Sequence, residues 1–390
     1  MLRKAGFFLD KRKKLFCRLQ KNGGKIKTAL CGFGRFSAFF LCFGAVLFGV
    51  VSMAKEGSDF FYYAMAFAAP GTAMEILESP LPEKEASSTD FEAEEKGGAQ
   101  TEEKEHEAEP EEEKSAKEIP EVPENRRGKV TETQYSAKEG GTYVAFGNAM
   151  IKNCTHHSPE KIKSMLKTKQ SLSLSTAMEE TPQVLVYHTH ATEGYEVADR
   201  GYFDLSGTWR STDPSENMIS VGEVLSSVLK EKGIGVIHDG TMHDDPSYNG
   251  SYKRSAVTIS SHLSENEHIS VCLDIHRDAI EPSEHEIMKP TAIINGKKAA
   301  QIMIIAGCDD GSMNMPDYWE NLRFAAALAD KLEELYPGIC RPILFDYRKY
   351  NMDLSPGLLL IEIGATGNTL EEAQYSAKLL GEALFALLAE

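Results

Sequence analysis

Three short apolar runs each deliver a histidine or a carboxylate at or near their carboxyl ends. Val184-Leu-Val-Tyr187 leads into His188-Thr-His190-Ala-Thr-Glu193. Val271-Cys-Leu-Asp274-Ile-His276 is followed by Arg277 and Asp278, and Leu358-Leu-Leu-Ile361 by Glu362. A fourth group, Glu216, falls in the first turn of a predicted helix. Imidazole and carboxylate suit zinc, and a catalytic zinc takes three protein ligands and keeps one open position. By type and placement the candidates are His188 or His190, Glu216 and His276. Asp274 shares a strand face with His276, so it is placed to support that histidine or the strand itself. Glu362 lies between Ile361 and Ile363, where a carboxylate is costly to bury without a partner. Each residue alone has an ordinary explanation, such as a satisfied strand-end histidine or a glutamate on a helix dipole. Four together point to amide hydrolysis. Zinc polarises a carbonyl and brings the pKa of water near 7, and a carboxylate takes the water's proton and passes it to the leaving amine.

The elements that must position these groups alternate between strand and helix. Strands are predicted at 141–146, 184–187, 234–238, 268–276, 342–345 and 357–363. A hairpin is predicted around Asn295-Gly296, with 301–306 as its return strand. Helices are predicted at 159–168, from the Asp213-Pro214 start to Lys232, at 252–264, 316–336 and 369–389. This order predicts an α/β domain: a mostly parallel, twisted sheet flanked by helices. In such sheets ligands bind beyond the carboxyl ends of the strands, where the candidate residues fall.

The rest of the chain divides by composition. Residues 1–35 form a basic leader, and the first 54 residues carry 11 Lys/Arg against a single Asp. Residues 36–54 are uncharged and mostly apolar, close to the ~20 residues a helix needs to cross a bilayer. The basic flank predicts a cytoplasmic amino terminus, a single-pass membrane anchor and an extracytoplasmic remainder. Ser52-Met53-Ala54 would serve as a cleavage site, but the leader is long for a signal peptide, so the anchor is read as retained. Residues 55–135 are read as an acidic, disordered linker, with 19 Asp/Glu against 5 Lys/Arg between Glu75 and Glu124. Residues 136–390 are read as the globular domain. The formal net charge is −17, and no basic face with interleaved aromatics follows the amino terminus, which argues against nucleic acid as a partner. The seven cysteines form no C-x-x-C pair, and Cys272 and Cys308 lie in apolar runs, as buried thiols do.

Several motifs resemble the stage II sporulation protein P family: Tyr187-His-Thr-His-Ala-Thr-Glu193, Ser211-Thr-Asp-Pro-Ser-Glu-Asn217, the stretch from His238 to Tyr252, Leu273-Asp-Ile-His-Arg-Asp278 and Glu362-Ile-Gly364. The resemblance implies a membrane-anchored peptidoglycan hydrolase of endospore-forming bacteria, with N-acetylmuramoyl-L-alanine amidase and endopeptidase activity. It further implies a role in septal thinning and engulfment with the D and M proteins of the same sporulation stage. More distantly the domain is similar to type 3 zinc-dependent cell-wall amidases. That similarity implies His190, Glu216 and His276 as zinc ligands and Glu362 as the catalytic carboxylate, with Asn368 in place and Ala365 and Gly367 departing from the pattern. Segments 194–212 and 239–249 have no counterpart there and are expected to line the substrate groove, with His243, Tyr248 and Arg277 as substrate contacts. Two other readings share these features: a non-catalytic, membrane-anchored module that binds wall or a partner, and another amide-cleaving metallopeptidase.

Overall fold

The computed structural model describes residues 121–389. The expected basic leader, the membrane anchor and most of the acidic linker lie outside the described residues. No helix among the described residues is long and apolar enough to cross a membrane.

In chain order the strands are β1 (Arg127–Thr133), β2 (Tyr143–Phe146), β3 (Ala149–Asn153), β4 (Val184–Tyr187), β5 (Tyr202–Asp204), β6 (Val236–His238), β7 (Val271–Asp278), β8 (Glu286–Ile294), β9 (Lys297–Ala300), β10 (Ile302–Gly307), β11 (Ile343–Asp346) and β12 (Leu358–Ala365). The helices are α1 (Pro159–Met165), α2 (Met218–Glu231), α3 (Ser251–Glu265), α4 (Tyr318–Leu335) and α5 (Leu370–Leu388). Eight strands form the main sheet in the order β2-β3-β11-β10-β12-β7-β4-β6. Its pairings are parallel except β2 with β3 and β10 with β12.

The central strands β4, β7 and β12 read as continuous apolar runs because both of their faces are covered. On one face Val184, Val186, Leu273, Ile361 and Ile363 pack with Val221 and Leu225 of α2, Phe324 and Leu328 of α4, and Ala377 and Leu380 of α5. On the other, Leu185, Tyr187, Cys272, Leu358 and Leu360 pack with Ile259 of α3 and with Met315 and Met352. Cys154, Cys272, Cys308 and Cys340 are all free thiols.

Three expectations are corrected. First, α2 begins at Met218, not at Asp213-Pro214. Asp213 Oδ1 is engaged by Ser215 N (2.9 Å) and Oγ (2.7 Å), which closes a turn ahead of the helix. Asn217 is the cap, its side chain accepting from Ile219 N at 2.9 Å. Second, the return strand of the hairpin is β9, not residues 301–306. The two-residue turn, with Asn295 at φ 50° and Gly296 at φ 79°, sets Ile294 directly against Lys297. The chain then crosses into the main sheet as β10.

Third, ordered structure begins before residue 136. β1 is an interior strand of a second sheet, ordered β5-β1-β8-β9. It runs antiparallel to β5 and parallel to β8, in register from Arg127↔Asp204 to Thr133↔Pro290. Composition hid this strand, because its RGKVTET sequence is polar and only Gly128 in it is buried. Gly128 has a packing role, since a Cβ there would lie 2.2 Å from the Phe203 ring. Sheet pairing and not apolar burial therefore defines this boundary.

A chain beginning at residue 136 should accordingly melt at least about 6 °C below one beginning at residue 121, since several ladder hydrogen bonds and the Phe203 contact are lost together. Coincident melting curves would show that β1 stands outside the cooperative unit.

Candidate metal centre

The candidate residues meet where β4, β7 and β12 end. The parallel registers Tyr187↔Asp274 and Glu362↔His276 bring the three strand tips level. His190, Glu193 and His276, all buried, each offer one ligand atom, and these atoms lie within 4.8 Å of one another. Glu193 bridges the pair: Oε1 is 3.7 Å from His190 Nδ1 and Oε2 is 3.6 Å from His276 Nδ1.

Each imidazole has a polar neighbour behind it at its other nitrogen, a hydrogen bond for His190 and an ion-pair contact for His276. His190 Nε2 is 3.0 Å from Ser251 Oγ at the start of α3. His276 Nε2 is 2.8 Å from Asp274 Oδ1. Asp274 is itself fixed by Thr189, whose N donates to Oδ1 at 2.8 Å and whose hydroxyl donates to Oδ2 at 2.7 Å. Backing of this kind fixes ring orientation and tautomer at metal sites. Both Nδ1 atoms face Glu193. Two imidazoles and a carboxylate so arranged match the donor set of a catalytic zinc site.

Electrostatics reinforce the grouping. Burial would lower the His276 pKa, but the adjacent Asp274 and Glu193 carboxylates outweigh it and hold the imidazole well above its usual value. Burial and the neighbouring His276 push His190 down to about 4. Burial would raise Glu193, but His276, Arg277 and His190 overcome it and the carboxyl is lowered. Glu362 is different. One of its oxygens, Oε2, is buried and has no hydrogen-bond partner. Burial, with Asp278 and Glu193 adding to it against His276, raises its pKa to about 8. A carboxyl poised near neutrality can both take and return a proton.

His188 faces away from the cluster. Its Nδ1 is 3.0 Å from Ile275 O and its Nε2 is 3.0 Å from His238 Nε2, so it fastens β4 to its neighbours. Glu216, the expected third ligand, is also not brought into the cluster. It precedes the cap of α2, is exposed, and accepts from Ser211 Oγ at 3.1 Å. Glu193 stands with the histidines in its place. The sequence signal for it was present, since Glu193 follows His190 by three residues just past a strand end, but a helix-opening glutamate drew the assignment instead.

Of the three expected substrate contacts, only Tyr248 is open. It is 54% exposed and stacks on His190 with ring centroids 4.4 Å apart. His243 is buried, its Nδ1 2.8 Å from His188 O and its Nε2 2.9 Å from Thr258 Oγ1. Arg277 is buried and commits its donors to Gly194 O (2.6 Å), Trp209 O (3.1 Å) and Thr366 Oγ1 (3.1 Å). Arg210, which sequence reasoning passed over, lies beside the cluster with Nη2 3.6 Å from Glu193 Oε1. Asn368 braces the floor: its Oδ1 accepts from Ala365 N (2.9 Å) and its Nδ2 donates to Pro290 O (3.1 Å).

Fold and site together define an α/β protein in which two buried histidines and a carboxylate that could hold a metal meet at the strand tips, with Glu362 paired to His276 on the next strand. A sequence profile described as stage II sporulation protein P matches residues 53–385, and the chain belongs to that family. The stage II sporulation protein P of Bacillus subtilis (strain 168) is 29% identical over 205 residues, covering 50% of this chain and 48% of the relative. The chain thus spans about half the length of that curated relative. Among solved structures, the N-acetylmuramoyl-L-alanine amidase AmiC2 of Nostoc punctiforme aligns at 10% identity, with a TM-score of 0.32 over 52% of this chain and 96% of that one. An N-acetylmuramoyl-L-alanine amidase from Clostridium difficile 630 aligns at 14% identity, with a TM-score of 0.32 over 53% and 96%. At these scores the likeness carries no assignment.

Two outcomes test the centre. Glu193→Ala should weaken zinc binding by at least about 100-fold while Glu216→Ala leaves it within about threefold, as titration against a competing chelator would read; the reverse order would restore Glu216 as ligand. Glu362→Gln should stabilise the metal-free protein at pH 9 and leave it unchanged at pH 4. The raised pKa means the folded state holds a proton that the unfolded state releases from about pH 4.5 upward, so wild-type stability falls between there and about pH 8. The gain expected in denaturant melts is on the order of 1–3 kcal/mol.

Proposed function

We infer that this protein is a membrane-tethered, zinc-dependent peptidoglycan hydrolase of sporulation. It cuts the N-acetylmuramoyl-L-alanine amide, with stem-peptide cross-links as a second substrate, in septal thinning and engulfment. The D and M proteins of the same sporulation stage are its expected partners. Family membership supports the biological setting. The observation that carries the chemistry is the pairing of the His190–Glu193–His276 cluster with Glu362, whose pKa is raised to about 8. A module that only binds wall has no use for a buried proton-exchanging carboxyl beside a ligand set.

The site residues divide the work. His190, Glu193 and His276 would hold the metal, with Ser251 and Asp274 fixing the rings. When bound, the metal supplies Lewis acidity for the amide carbonyl and activation of the attacking water. Glu362 takes the proton of that water and returns it to the leaving nitrogen, reversing its protonation state in each turnover. Its carboxylate form is favoured once a divalent cation occupies the cluster, because the added positive charge opposes the effect of burial. Tyr248 closes one side of the site by lying on the outer face of His190.

The test is hydrolysis of purified peptidoglycan by the chain from residue 121 onward. The wild type should contain zinc and release stem peptides with new alanine amino termini. Glu362→Gln should keep its zinc and lose about 100- to 10,000-fold in rate. A zinc-loaded wild type that releases nothing, even from glycan-rich sacculi, would overturn the hydrolase reading.

A further inference from the structure

Arg210 is built into the wall between the metal cluster and a large groove, and it neither ligates the metal nor moves the proton of the reaction. Its guanidinium is anchored along one side only. Nη1 donates to Asp244 Oδ2 at 2.7 Å and to Thr192 Oγ1 at 2.8 Å. The Asp244 side chain is wholly buried and accepts from Thr192 Oγ1 at 2.6 Å as well, so it is a fixed post. Nε and Nη2 donate to no protein group among the described residues, the nearest carboxylate to Nη2 being Glu193 Oε1 at 3.6 Å. The side chain is 40% exposed and its guanidinium carbon sits 5.1 Å from the centre of the Tyr248 ring. Arg210 also lines a groove of about 1380 Å³ that runs past Trp209, Glu196, Thr369 and Tyr375.

The cation is therefore aimed. One edge of its planar fork is tied to a buried carboxylate, and the Nε–Nη2 edge is left for a second, bidentate partner. A lysine would balance Asp244 equally well, so the charge of Asp244 does not by itself require a guanidinium. Arg277, the other arginine at these strand tips, has its donors committed to backbone oxygens and Thr366 and is not available.

Building on the amide-cleaving reading, we propose that Arg210 is a specificity residue that binds a carboxylate of an acidic peptide substrate, set one residue beyond the cleaved amide, through its Nε–Nη2 edge. An extended chain advances ~3.3–3.6 Å per residue, so a carboxylate one residue on lies about one such step from the reacting bond, before the peptide continues into the groove. Tyr248 forms the side wall of both steps, touching His190 at one end and Arg210 at the other.

The experiment compares two muramoyl peptides that differ only in this group, one with the free acid and one with the carboxamide. With the zinc-loaded wild type, kcat/KM should favour the acid by about 10- to 100-fold. In Arg210→Met that ratio should collapse to about one, whatever the absolute rates. Arg210→Lys keeps the charge that Asp244 requires but lacks the fork, and should give an intermediate ratio while folding as the wild type does. The same pair is titrated calorimetrically into metal-free wild type, Arg210→Met and Arg210→Lys. Binding preference for the acid, lost in Arg210→Met, should appear there too. If the wild type cleaves neither peptide, the hydrolase reading is decided on sacculi as above, and the calorimetric preference still decides the role of Arg210. Equal binding and cleavage of acid and amide by the wild type would overturn the proposal. So would a preference that survives in Arg210→Met, which would leave Arg210 as a brace for Asp244 and Glu193.

Discussion

A negative charge sits in the interior at Asp274, and the site depends on how that charge is answered. A buried carboxylate is expensive unless hydrogen-bonded and paired. Here it accepts from the Thr189 N–H and hydroxyl and lies within ion-pair distance of His276. Those contacts fix the turn leaving β4 and the ring at the tip of β7 at once. The turn carries His190 and, three residues on, Glu193. One buried charge thus sets the separation of the three groups in the cluster. The same carboxylate, with Glu193, raises the pKa of His276 against the effect of burial.

Other interior charges fasten the long segment between β4 and α2. Arg277 reaches out of β7 to the carbonyl oxygens of Gly194 and Trp209. Lys289, fully buried in β8, lies 2.8 Å from Asp199 of that segment and 2.6 Å from Glu372 of α5. Glu372 completes a capping box with Thr369. These cationic side chains act together with the buried Tyr195 and Phe203 to give the segment a fixed course beside the cluster.

Much of this was legible in the sequence, for identifiable reasons. Strands buried on both faces announce themselves as short apolar runs, and such runs mark β4, β7 and β12 with His188 or His190, His276 and Glu362 at their tips; only the family resemblance chooses His190 over His188. The long helices α4 and α5 followed from periodicity and end signals. What escaped depends on contacts between residues distant in sequence. β1 has no apolar pattern and exists because β5 and β8 pair with its two edges. Glu193 and Glu216 are equally good donors on paper, and only the path of the chain after Thr192 turns one inward. His243 and Arg277 have the chemistry of substrate contacts, but their donors face backbone oxygens and a threonine hydroxyl. Residue type was legible; direction was not.

The placement of β1 has a mechanical consequence. The described chain enters the domain as an interior strand, bonded along both edges, and not as an edge strand or a loose end. Tension applied along that strand is borne in shear by the two ladders together, where peeling from an edge would break them one bond at a time. Phe203, seated on Gly128 and 5.3 Å from the Trp209 ring, would feel any slip of the strand, and Trp209 is the neighbour of Arg210. Load on the incoming chain would therefore be passed through β1 and Phe203 toward Trp209 and Arg210, at the rim of the cluster held by the main sheet.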